Sequence, residues 1–310
     1  MSPHAHDEDA TNAYQALSET VGQDDPRWAF GSGFDAELEA DITAAVPDGA
    51  DPADLAEYCL MLGDDALVYS HRLTEWVSNA PELEEEVALA NTALDLLGQA
   101  RMLLSRAGHV EGLVPGRPGR DEDALAYRRE VSEFRNVALA EPSDDLDFAR
   151  CVARLLVFAT WRLALLQRLE GSTDPVLAAV AAKGVKEVTY HRDYAARWTL
   201  RLGDGTPVSH ERMQAALEWV WPLLDELFRT SAPERRLVTA GIAADPAETR
   251  AEVDAVLDRV LVTATLTRPD RPPMGTIGGR GGRHGVHTEK LEPALAEMQS
   301  LARKHPGASW

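Results

Sequence analysis

From Asp51 onward, apolar residues recur at intervals of three and four along the chain, and no segment alternates convincingly with a period of two. The pattern predicts a succession of helices. The first spans 51–78, opened by a cap-like Asp51 and Pro52, with Leu60, Leu67 and Trp76 on related faces. A second, 79–107, opens at NAPELEEE, with Asn79 as cap and acids in the first turn, where the helix dipole favours them. A third covers 121–140, a fourth 143–170 beginning at SDDLDF, and a fifth 175–202, ended by LGDG. Three more are expected at 209–229, with a kink at Pro222, at 246–265 and at 288–304. The four longest form two tight hairpins separated by a longer connection, and helices joined so closely lie antiparallel. The expected fold is therefore all-α, a ferritin-like four-helix bundle over residues 51–310 with additional C-terminal helices. Residues 1–50 are acidic and polar without a sustained period, and read as a mobile extension in which WAFGSGF, at 28–34, is the stretch suited to docking.

Composition narrows the function classes. The chain has 310 residues, 45% of them hydrophobic, enough for a sizeable core. Its formal charge of −20, from 51 acids against 31 bases, repels nucleic acid and anionic lipid, so neither is an expected partner. The longest apolar stretch, LLVFATWRLALLQ, is interrupted by Arg162, and MSPHAHDEDATNAY lacks a basic region followed by an apolar run. A soluble cytoplasmic protein is expected. Cys59 and Cys151 form no zinc or disulfide spacing and are expected to be buried. Trp161, Trp198, Trp219 and Trp221 are candidates for core or interface.

A ferritin-like bundle that holds two metals needs a carboxylate from each of two helices and a Glu-x-x-His from each of the other two, all facing inward. None of the nine histidines has Glu or Asp three residues before it; His71 follows Val68, His191 follows Val188 and His210 follows Pro207. The fourth helix has no acid from Phe148 to Leu169 and carries Arg150, Arg154, Arg162 and Arg168 instead. Inward-facing cations without partners would disfavour a metal further. His191 falls on or beside the buried stripe and reads as a core histidine bonded to Glu187 or to a facing helix, or as what remains of a Glu-x-x-His whose glutamate has become Val188. In ALANTALDLLGQAR, Asn91, Asp95 and Gln99 form a polar line beside Val87, Ala90, Leu94 and Leu97. That line reads as a buried hydrogen-bond network combined with an interface to another chain, with Arg101, Arg72 or a partner meeting Asp95.

LGDDALVYSHRLTEW, ALANTALDLLGQAR, VKEVTYHRDYAARW, GGRGGRHGVHTEKLEPALAEMQSLARKHPG and the terminal Trp310 resemble the C subunits of ring 1,2-phenylacetyl-CoA epoxidases over about residues 55–310. The resemblance implies a structural ferritin-like subunit without cofactor or metal of its own, in which Asp95, Gly98, Val188 and His191 mark the degenerate site. It implies pairing with a homologous catalytic A subunit that holds the di-iron centre and the acyl-CoA. A small B subunit, and a reductase carrying flavin, an iron–sulfur centre and NADPH-derived electrons, complete the assembly it implies.

The loop GTIGGRGGRHGVHTE lacks Gly-x-Gly-x-x-Gly and follows no strand, so it is not a dinucleotide fingerprint. Arg280, Arg283, His284 and His287 make it basic on an acidic chain: a flexible surface connection, or an element that docks on the catalytic subunit. Two other function classes stand beside the structural subunit. One is a metal-dependent oxidase with atypical ligands from Asp64, Asp65, Asp95, Glu187 and His191; the other is an adaptor acting through its acidic surface.

Overall fold

The computed structural model describes residues 41–306, which are all-helical apart from turns and a single isolated bridge between Ile277 and Arg280. Helix α1, Pro52–Thr74, starts where the Asp51 carboxylate accepts the Ala53 N–H at 2.8 Å, with Pro52 filling a position whose N–H has no helical partner. Helix α2, Leu83–Glu111, runs back along it, and α4, Phe148–Leu169, and α5, Pro175–Gly203, form the second hairpin, each capped by an aspartate, Asp147 and Asp174. These four make the ferritin-like bundle.

The bundle helices differ in how they are covered. Helices α1 and α4 are buried on nearly every face, from Leu55 to Leu73 and from Ala149 to Leu166. A helix apolar all round has to be enclosed, and the later elements enclose these two. Helices α6, Pro207–Val220, α7, Ala232–Thr239, α8, Arg250–Thr263, and α9, Leu291–Lys304, pack on α1 and α4 and, for α6 and α8, also on α5. Helix α2 buries Leu89, Ala93, Leu96, Ala100, Leu103 and Leu104 and keeps an outward face. Tyr69 of α1 meets Phe158 of α4 with ring centroids 4.3 Å apart. Trp161 and Trp221 are core residues, while Trp198 and Trp219 are half-buried against the core; Cys59 and Cys151 are buried free thiols.

The helix expected over 121–140 is only α3, Glu122–Tyr127, followed by extended chain and short 3-10 turns. Carboxylates on neighbouring elements claim the N–H groups a helix would use: the buried Asp64 takes that of Arg135, the buried Asp65 that of Val137 and the half-buried Glu226 that of Ala138, at 2.8, 2.8 and 2.7 Å. The second helix starts later than expected, with Glu82 rather than Asn79 at its N-cap. Pro222 does not kink a continuing helix; α6 stops at Val220 and 3-10 turns follow. Helix α7 has no counterpart among the expected helices, although Ser231-Ala-Pro-Glu234 forms a capping box and Arg236 grips Asp54 of α1 through two contacts of 2.6 Å. Arg106 donates to the carbonyls of Ile42 and Ala44, so the folded body reaches back before Asp51. The stretch at 28–34 lies outside the described residues. None of the described helices is long and apolar enough to cross a membrane.

Candidate functional site

In the middle of the bundle, where a di-metal four-helix bundle would need carboxylates, α4 presents Arg162. Its side chain is buried, and Nε donates to Gln99 Oε1 of α2 at 2.9 Å while Nη1 reaches the Leu62 carbonyl of α1 at 3.3 Å. Gln99 passes the contact on, its Nε2 donating to Glu187 Oε2 of α5 at 2.9 Å. One guanidinium and one amide thus tie all four bundle helices together. Gly184 permits this, because a Cβ there would stand 2.8 Å from Leu166 and 3.3 Å from the Gln99 amide. Burial pulls the Arg162 guanidinium down to about 10, the nearby Arg283 adding to the effect and Asp65 opposing it, so it remains a cation at neutral pH.

A second contact lies one turn away on the α2/α5 seam. His191 Nε2 and Asp95 Oδ2 are 2.9 Å apart. Asp95 is therefore met by His191, not by Arg72 or Arg101, which pair with Glu75 and Glu122. Glu187 also lies 3.6 Å from Lys183, yet burial first, and the Asp95 charge second, push its carboxyl above the usual range. A carboxyl raised on folding holds its proton more tightly in the fold than in the unfolded chain, so Glu187 lowers stability as pH climbs above the ordinary value of 4.5. Glu187→Gln should match the native chain in acid and exceed it by a growing margin as pH rises. Urea midpoints measured from about pH 4 to 8 check this; a difference that is flat or shrinks with pH contradicts it.

The adjacent α1 acids, of which Asp65 lies within charge range of Arg162, are each held by an arginine. Asp64 forms a bidentate pair with Arg129. Asp65 forms one with Arg283, through bonds of 2.9 and 2.8 Å, and Arg283 also donates to the carbonyls of Met61 and Arg135. Burial alone would lower the Arg283 guanidinium, but the Asp65 charge and its hydrogen bonds outweigh burial and raise it. The residues around Arg283 strap the glycine loop to the body. Gly282 N–H donates to Glu226 at 2.7 Å, His287 Nδ1 sits 2.7 Å from Glu141, and Thr288 donates to the same carboxylate through N–H and hydroxyl. A Cβ at Gly282 would collide with the Asn136 carbonyl, and Gly285 has a φ of +71°, so both glycines are required by the path of the strap.

The candidate positions therefore separate. Asp95 and His191 come together; Val188 is buried in the apolar core; Gly98 does not face the core, since a Cβ there would meet nothing within 4 Å among the described residues beyond its own helix backbone. Of the four basic loop residues, Arg283 and His287 turn inward and are spent on Asp65 and Glu141, because buried carboxylates there demand cationic or N–H partners. Only Arg280 and His284 are exposed. The alternative ligand set is likewise dispersed: Asp64 and Asp65 are bound to arginines, Glu187 to Gln99, and Asp95 to His191. Among the described residues no three His, Cys, Asp or Glu side chains converge as a metal would require. The donors do not fit a di-metal centre: two carboxylates are neutralised by guanidinium, and a third cation occupies the core. The Arg162–Gln99–Glu187 line is the feature sequence reasoning missed. Its signal was present as a lone arginine within the apolar LLVFATWRLALLQ, since a charge buried there needs a partner on a facing helix.

Comparison with known proteins agrees with this architecture. The chain is 44% identical over 256 residues to the C subunit of the 1,2-phenylacetyl-CoA epoxidase of Escherichia coli (strain K12), an alignment covering 83% of this chain and 99% of that protein. The phenylacetic acid catabolic protein family matches residues 42–310, beginning where Arg106 first grips the chain, and the protein belongs to that family.

Proposed function

We propose that this chain is a non-catalytic structural subunit of a multicomponent di-iron oxygenase, a 1,2-phenylacetyl-CoA epoxidase of aerobic phenylacetate degradation. It pairs with a homologous catalytic A subunit and braces the helices that carry the metal ligands there, which need positions held to roughly 0.5 Å. The di-iron centre belongs to that partner, and flavin, an iron–sulfur centre and NADPH to a cytoplasmic reductase; a small B subunit joins the assembly. The observation that carries the reading is Arg162: a guanidinium cross-linking the bundle at Gln99, Leu62 and, through Gln99, Glu187 supplies the positive charge and the inter-helix bonds that a metal supplies in a catalytic bundle. Membership of the phenylacetic acid catabolic family and the name of the bacterial relative support the same assignment. Co-expression with the homologous catalytic subunit, followed by size-exclusion chromatography, should give a stable heteromeric complex, and the catalytic subunit alone should lose thermal stability and epoxidation activity. A catalytic subunit equally stable and active without this chain would end the bracing role.

A further inference from the structure

Arg154 of α4 and Asp144, in the loop before it, form a buried ion pair that closes on one side only. Elsewhere in the chain such pairs close on both. Arg236 grips Asp54 with the two nitrogens of one edge, Nε and Nη2, each 2.6 Å from a separate carboxylate oxygen, and Arg129 and Arg283 are bidentate as well. Arg154 uses half of that fork: Nη2 meets Asp144 Oδ2 at 2.8 Å. Its Nε–H and the second oxygen, Oδ1, are buried and have no partner among the described residues. The hydroxyl of Tyr69 on α1, beside the same guanidinium, is a third such atom. All three residues are at most 2% exposed, and a buried polar atom left unmet lowers stability.

Rotation cannot bring these atoms together. Asp144 Oδ2 is held from two sides, by Arg154 and by Trp76 Nε1 at 3.1 Å, so turning the carboxylate toward Nε breaks bonds already made. The guanidinium is tied through Nη1 to the Pro142 carbonyl. The Tyr69 ring is clamped, with the Phe158 centroid 4.3 Å and the Arg154 Cζ 4.8 Å from its own centroid. The buried Cys151 thiol also approaches Asp144, but a thiol is a weak donor and leaves the other two atoms unmet.

Charge selects what can sit among them. The guanidinium repels a cation, and the carboxylate repels an anion. The three atoms are an N–H donor, a carboxylate acceptor and a hydroxyl that serves as either. A water offers the lone pair, the proton and the third contact, and about three hydrogen bonds are the usual complement of a buried water. We propose that an internal water is bound between Arg154 Nε, Asp144 Oδ1 and the Tyr69 hydroxyl, where it completes the ion pair and joins α1 to α4 and to the loop that enters it.

Crystals of the full chain diffracting to about 2 Å or better should show density for one molecule within about 3.2 Å of at least two of these atoms. Tyr69→Phe supplies a second reading, since it keeps the ring and its contacts with Phe158 and Arg154. Removing a hydroxyl that binds water should lower the Tm by about 2–4 °C, whereas removing one without a partner relieves a desolvation cost and should raise it. No density at this position, or a Tm that holds or rises in Tyr69→Phe, would overturn the site.

Discussion

Arg162→Ala is expected to lower the unfolding free energy by about 3–5 kcal/mol, the range observed when one partner of a buried charged network is removed. The substitution leaves Gln99 Oε1 and the Leu62 carbonyl without their donor, frees the amide that orients Glu187, and opens a cavity between α1, α2 and α4. Urea denaturation followed by helical circular dichroism measures the change. Replacing the polar line as a unit, with Arg162→Met, Gln99→Leu and Glu187→Leu together, should cost less than Arg162→Ala alone, because none of the three side chains is then a polar group left without its partner. A loss below about 1 kcal/mol for Arg162→Ala would mean that the guanidinium does not hold the bundle together.

Arg283→Ala should have an effect of the same order, about 3–5 kcal/mol, for a different reason. Asp65 is fully buried, and its carboxylate would keep only the Val137 N–H once both guanidinium bonds are gone. The Met61 and Arg135 carbonyls lose the same donor, and the loop from Gly281 to Thr288 loses its central anchor. Trypsin should then cleave at Arg280 far sooner than in the native chain, before the rest of the body is digested. Asp65→Leu combined with Arg283→Met should restore part of the lost stability, since an apolar pair leaves no orphaned charge. If the double variant were as unstable as the two single losses added together, the buried pair would not be the cause.

Much of the fold could be read from sequence because α1, α2, α4 and α5 are long, periodic and locally consistent: Asp51, Asp147 and Asp174 cap three of them, and Pro52 and Pro175 sit at the first turns of α1 and α5. The failures share a cause. Over 128–140, local helical preference was overridden by Asp64, Asp65 and Glu226, which lie elsewhere in the sequence and take up backbone N–H groups. The basic loop looked like a surface element because its glycines and arginines suggest mobility, whereas the carboxylates that draw Arg283 and His287 inward come from positions 65 and 141. The lack of Glu-x-x-His and of an acid in α4 was readable because ligand spacing within a helix is local. The polar line through the bundle was not readable, since Arg162, Gln99 and Glu187 meet only across three helices. Of the polar line read as a buried network combined with an interface, Gln99 is buried, while Val87, Leu94 and Leu97 beside it face outward; helical spacing alone does not say which of two apolar faces turns to the core.

We propose that a cross-linking arginine, in place of a metal, holds this bundle. The decisive measurement is elemental analysis of the chain after separation from a co-expressed, iron-loaded catalytic subunit. Iron and manganese should stay with the partner and be substoichiometric in this chain. Stoichiometric iron or manganese in the separated chain, lost when Asp95 and His191 are both replaced by alanine, would contradict it.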